Sequence, residues 1–259
     1  MLRQYLKSLA DKFREKLGVT NYEIINAQDF VLAIDEVYEA GKQAGGGGNT
    51  DEAFKNGKKE IWKGITCNNT RTVYNNAFQY TDLDYFYPYG KMEPTNAGYM
   101  FANTRNGEKI NLKARLAECG GTLDFSNATN MQRAFYVSGV TDLGVIDCTA
   151  TTNLAYLYCS STYLQSIEKM IVHSGNTYQS SFDACSALTN IEFEGEIGNN
   201  ISFANCTNLT RNSLMSIINH LQVKTSGEFT LTLSADSIEK LTVAEMDIAS
   251  DKGWNIPNA

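Results

Sequence analysis

The sequence predicts an α+β repeat protein: a stack of short coils, preceded by a helical segment and closed by an α/β cap. Three observations carry this. Aromatic residues recur at Phe78, Phe101, Phe135, Tyr158, Phe182 and Phe203, at intervals of 23, 34, 23, 24 and 21 residues. Three positions after each stands a small residue with a short polar or sulfur-bearing tip: Thr81, Thr104, Ser138, Ser161, Cys185 and Cys206. Leu83, Leu143, Leu164, Leu188 and Leu209 follow five to eight residues after an aromatic, mostly leading into short apolar stretches. Repetition on this period outranks other local signals, because one repeat cannot bury its apolar face without a neighbour.

Residues 1–44 precede the repeats. Leu2, Leu6, Leu9 and Phe13, then Phe30, Ile34, Val37, Gly41 and Ala44, each draw a narrow apolar seam on a helix. Gly18 separates the two, and Asn26 or Asp29 suits a cap for the second. Helices this short need a docking surface. An intramolecular hairpin and an oligomerisation or docking module both satisfy that need. Residues 45–50 contain Gly45 to Gly48 and read as a flexible joint. No G-K-[ST] follows, so the glycines do not form a phosphate loop. Residues 51–74 include DEAFKNGKKEIWKGIT, a short helix expected to cap the coils that follow.

In the repeats proper, residues 75–210, the segments LGVIDC (143–148), LQSIEKM (164–170) and LTNIEF (188–193) read L-x-x-I-x-[apolar], the strand signature of a leucine-rich repeat. Leu and Ile are expected inward, with each strand stacked on the last and the aromatics forming a second spine opposite. The small residue belongs where the chain turns tightly, its tip meeting backbone groups otherwise buried unpaired. Residues 211–259 change character. NSLMSIINHLQ (212–222) reads as an amphipathic helix, EFTLTLS (228–234) as a strand, and 236–254 as one or two helical turns ending at Gly253. A terminal cap is what a solenoid needs.

Several phrases resemble the BspA-like leucine-rich-repeat proteins: KMEPTNAGYMFANT, LAECGGTLDFSNATNMQRAFY, GVIDCTATTNLAYL and FEGEIGNNISF. They are most similar to a branch from phages and prophages of gut Firmicutes. LADKFREKLGVT with INAQDFVLAIDEVYEAG resembles the helical module at the front of many phage tail and baseplate proteins. The resemblance implies a short solenoid in a virion protein, made in the host bacterial cytoplasm and acting outside cells after lysis. It implies virion proteins as partners of the helices, a host-surface glycan or protein as partner of the solenoid, and a homo-oligomer, three copies fitting tail symmetry. Two other roles stay open: a purely structural virion part, and a bacterial surface adhesin. Nothing catalytic carries over from the family, and no cofactor is assigned.

Composition narrows the chemistry. A net charge of −7 argues against nucleic acid or an anionic membrane as the main partner. The N-terminus lacks a signal-like apolar run, and no stretch is long and apolar enough to span a membrane. The six cysteines include no C-x-x-C and no cluster with His. Cys185 and Cys206 share their register with hydroxyl residues, which a disulfide or metal site would not tolerate, so structural thiols are expected. His173 and His220 sit in no recognisable nucleophile setting. An enzyme is therefore not expected.

Two candidate binding surfaces remain. Asp147, Glu168 and Glu192 each follow an isoleucine and are expected to stack as an outward acidic row, either a solvated face or one for a basic ligand or, less favoured without a D-x-[DN]-x-[DN]-G loop, calcium. Tyr80, Tyr85, Tyr87 and Tyr89 crowd one loop where not all can be buried, and Tyr136, Tyr156 and Tyr163 lie at coil positions that can face out. Exposed Tyr beside Asn and Thr suits sugars and proteins alike.

Overall fold

From Thr72 onward the chain keeps returning to lie beside itself. The computed structural model describes residues 72–81, 83, 86–106 and 109–257. The chain divides into two units, 1–68 and 69–259, and the described residues all belong to the second. The expectations for residues 1–44, 45–50 and 51–71 lie outside the described residues.

The elements in chain order are β1 (Lys91–Met92), β2 (Ile110–Asn111), α1 (Leu112–Cys119), β3 (Thr122–Leu123), β4 (Val140–Asp147), β5 (Ser166–Val172), β6 (Asn190–Gly195), β7 (Ile201–Phe203), α2 (Arg211–Asn219), β8 (Phe229–Leu233), α3 (Ala235–Ile238), α4 (Val243–Asp251) and β9 (Trp254–Asn255). Strands β2-β4-β5-β6 form a parallel sheet in that order; β1-β3 and β7-β8-β9 form smaller ones, also parallel. Parallel neighbours cannot be joined by a tight hairpin, so each connection is a whole rung of chain.

The aromatics form one column. Neighbouring ring centroids from Phe78 to Phe203 stand 5.2, 5.3, 5.7, 5.4 and 4.5 Å apart. Around them the backbone follows a fixed scheme. The amides of Asn76, Phe78 and Tyr80 donate to Gly98, Met100 and Ala102 one rung on. Those of Ala77, Gln79 and Thr81 donate back to the carbonyl three residues earlier. The forward ladder repeats at 99/101/103, 133/135/137 and 156/158/160. The geometry requires positive φ two residues before and two after the aromatic. All ten described non-glycine residues with positive φ occupy these places: Asn76 and Tyr80, Tyr99 and Asn103, Arg133 and Val137, Tyr156 and Ser160, Ser180 and Ala184. The left-handed region costs an L-residue about 1–2 kcal/mol, and the continuous ladder of backbone bonds offsets that cost.

A second repeated device lies five and six positions before the aromatic. Asn96, Asn130 and Asn153 each accept, through Oδ1, the amide two residues on. Thr95, Thr129 and Thr177 each donate both backbone amide and hydroxyl to the threonine carbonyl of the previous rung.

The strands depart from the expected register. Leu143 pairs with Ile167, and Ile167 with Ile191. Leu143 therefore fills the isoleucine slot, and Val140, which pairs with Ile110, fills the slot assigned to leucine. The inward residues fall every third position on β4 (Val140, Leu143, Ile146) and on Leu164, Ile167 and Met170, but on alternate positions in β6 (Ile191, Phe193). The extra residue in β5 shifts the register between Ile167 and Met170, a bulge in effect. Gly195, φ +90°, ends β6 where a Cβ would lie 2.0 Å from the Val172 carbonyl oxygen.

At the far end, helix α2 stands where another strand would pair with β6. Its Ser213 Oγ accepts the Ile191 amide at 3.0 Å and its Ser216 Oγ the Phe193 amide at 2.9 Å. Two serines one turn apart thus satisfy the alternate amides an edge strand leaves bare. Leu214, Ile217 and Ile218 are buried. Helix α4 begins with a capping box, Thr242 and Glu245, and Arg211 reaches the same glutamate. Gly253, φ +80°, follows that helix, and the Trp254 indole donates to the Gln222 carbonyl at 2.8 Å.

Candidate binding surface

The repeated small residues are interior hydrogen-bond donors. Thr81 Oγ1 donates to Phe78 O at 2.6 Å and Thr104 Oγ1 to Phe101 O at 3.0 Å. The Ser161 hydroxyl reaches Phe135 O one rung back, and the Cys185 and Cys206 thiols reach Tyr158 O (3.1 Å) and Phe182 O (3.5 Å) in the same way. Thr104 and Ser138 hydroxyls lie 3.2 Å apart. Burial raises the Cys206 thiol to about 12 and pushes Cys185 and Cys148 well up too. At neutral pH these thiols stay protonated and unreactive. His173 is held by its own corner: Nδ1 accepts the Gly175 amide at 3.1 Å, so Nε2 donates to Thr151 O at 3.0 Å. His220 Nδ1 lies 2.8 Å from Ser216 O. Among the described residues no three His, Cys, Asp or Glu side chains gather where they could hold a metal.

The expected acidic row is corrected at Asp147. Because Leu143, not Ile146, stands in line with Ile167 and Ile191, the residue abreast of Glu168 on β4 is Gly144, whose added Cβ would lie 3.9 Å from Glu168 Oε2. Asp147 sits further along, in line with Ile171 and Glu194, and its Oδ1 accepts from the Thr149 amide (2.9 Å) and hydroxyl (2.6 Å). The neighbouring charges are paired: Lys113 of α1 with Glu168 of β5 at 3.1 Å, and Lys169 of β5 with Glu194 of β6 at 2.8 Å. Glu192 is exposed. Glu168 and Glu192 still follow the paired isoleucines Ile167 and Ile191, so only Asp147 leaves the row, while Lys169 and Glu194 set opposite charges across the same two strands.

The tyrosines divide. Tyr80 is 73 % exposed and Tyr163 43 %, with Lys109 Nζ 4.5 Å above the Tyr163 ring. Tyr136 and Tyr89 are half-buried. Tyr87, expected as a surface candidate, is instead buried, its ring under the Arg115 guanidinium at 4.6 Å; Arg115 is fixed by donating to Phe86 O. Tyr85 lies outside the described residues.

Tyr156 belongs to a constellation the sequence reading missed. Two residues before the aromatic, in consecutive rungs, stand Tyr99, Arg133 and Tyr156. The Arg133 guanidinium lies 5.4 Å from the Tyr99 ring centre and 4.4 Å from that of Tyr156, and its Nη1 donates to Tyr99 Oη at 2.7 Å. Gln179 Nε2 donates to Tyr156 Oη at 3.4 Å. All three are half-buried, and all three have their backbone fixed in the left-handed region. The signal was available: aligning the repeats on the aromatic puts these residues in one column.

Compared with known proteins, the chain matches no family model, no curated protein and no solved structure.

Proposed function

We propose that this chain is a non-enzymatic phage or prophage virion protein whose leucine-rich-repeat solenoid, of BspA-like kind, binds a host-surface receptor through its outward tyrosine face. The observation that carries the reading is the Tyr99–Arg133–Tyr156 stack. The guanidinium lies over the Tyr156 ring and is hydrogen-bonded to the Tyr99 hydroxyl, a cation–π contact of about 0.5–2 kcal/mol, and the Arg133 amide is bonded to Ala155 of the next rung. A face so fixed loses little conformational freedom on binding, which favours affinity. Tyr80 and Tyr163 are further exposed tyrosines of the same stack of coils. The Cys185 and Cys206 thiols and both histidines are engaged in the architecture, which supports a role without covalent chemistry. Residues 1–44 attach the chain to the virion and bring copies together, so that weak sites act jointly.

The test is capture of labelled full-length protein by gut Firmicutes cells, untreated, treated with periodate, or treated with protease. Loss on periodate identifies a glycan receptor, and loss on protease alone a protein receptor. No capture in any arm overturns the receptor reading.

A further inference from the structure

Among the described residues, three buried side-chain oxygens have no hydrogen-bond partner in the protein: Thr151 Oγ1, Tyr158 Oη and Tyr178 Oη. Their residues are 1 %, 0 % and 4 % exposed, and they belong to two consecutive rungs. Both phenols follow apolar residues of the preceding rungs. Tyr158 replaces the phenylalanine of Phe101, Phe135 and Phe182, and Tyr178 follows Ala97, Met131 and Leu154.

The corner around them is already organised as polar. Asn176 Nδ2 donates to Cys148 O at 3.2 Å and Thr151 O at 2.6 Å, while its Oδ1 accepts the His173 amide at 2.7 Å. His173 Nε2 also meets Thr151 O. The Cys148 thiol is close enough to both phenols to help raise them, after burial itself. The corner's carbonyls are therefore engaged, and the added hydroxyls find no protein acceptor. Buried hydroxyls in native proteins are nearly always bonded, and ordered water is the usual partner where protein groups are lacking.

We propose that this corner is a built water site, in which Thr151 Oγ1, Tyr158 Oη and Tyr178 Oη hold ordered water inside the stack. Removing one hydroxyl without changing shape then breaks a bond to water rather than relieving an unmade one.

The experiment compares full-length protein with Tyr158→Phe, Tyr178→Phe and Thr151→Val variants. Oxygen-17 relaxation dispersion counts long-lived internal water, and thermal unfolding gives Tm. The expected result is a smaller dispersion amplitude in the Tyr158→Phe/Tyr178→Phe double variant, with Tm lowered by about 2–4 °C for each kcal/mol lost in a chain of this size. Unchanged amplitude overturns the proposal, whatever the Tm. Should the double variant fail to fold, Thr151→Val alone gives the same two readouts, and unchanged amplitude there is equally fatal.

Discussion

The aromatic side of the stack and its strand side are built under different rules. On the aromatic side alternate amides of each rung bond the next rung, and positive φ two residues before and two after the aromatic recurs in five rungs. A one-residue slip would break the ladder and move a bulky side chain into the tight turn. On the strand side, inward residues fall every third position in two strands and every second in the next, absorbed by a register shift between Ile167 and Met170. Slippage there costs little in chain geometry and is settled by which apolar residue fills the core. The lesson is that rigid backbone schemes specify residue type, whereas strands specify only apolarity.

The comparison can be broken most severely at the turn. Cys185→Phe puts a large ring where a thiol donates to Tyr158 O with no exposure, and should abolish folding, seen as loss of the cooperative thermal transition. Cys185→Ser, which copies Ser161, should cost no more than about 1 kcal/mol. Next come the edge amides: Ser213→Ala and Ser216→Ala each leave a strand amide unpaired and should cost about 1–3 kcal/mol by urea unfolding. The alkaline limb is third. The Cys206 thiol lies at about 12 in the folded chain against an ordinary 9.0. The unfolded chain therefore loses that proton first, and stability present below pH 9 falls as the pH climbs toward 12. The slope is about 1.4 kcal/mol per pH unit for each such thiol; Cys206→Ser should remove one share of it. The smallest effect has the opposite sign. Val137, β-branched with φ +53°, is the costliest occupant of the left-handed column, and Val137→Gly should stabilise the fold by about 1 kcal/mol.

Legibility in the sequence follows the same division. The aromatic column and the small residue after it could be read because nothing else fits those places. The capping helix was legible from its apolar face, though not the two serine hydroxyls that close the sheet edge. Leu143 misled because an apolar residue three places late looks no different from one on time; Val140 held the slot, and Asp147 was displaced from the acidic row with it. Tyr87 misled because crowding does not say which ring is covered, and the covering group, Arg115, lies 28 residues away on α1. Tyr99 and Arg133 were missed for want of reading the column two residues before the aromatic, although the repeat alignment already contained it.

The direct test of the central claim sets the two sides against each other in one assay, binding of full-length protein to gut Firmicutes cells. The Tyr99→Ala/Tyr156→Ala variant strips both rings from Arg133, and Glu168→Gln/Glu192→Gln removes two exposed strand carboxylates, with circular dichroism establishing that both are folded. The predicted result is a loss of about tenfold or more in affinity for the tyrosine pair, equal to about 1.4 kcal/mol, and less than about twofold for the acidic pair. Retained binding in the tyrosine pair with loss in the acidic pair would contradict the account and move the binding face to the strands.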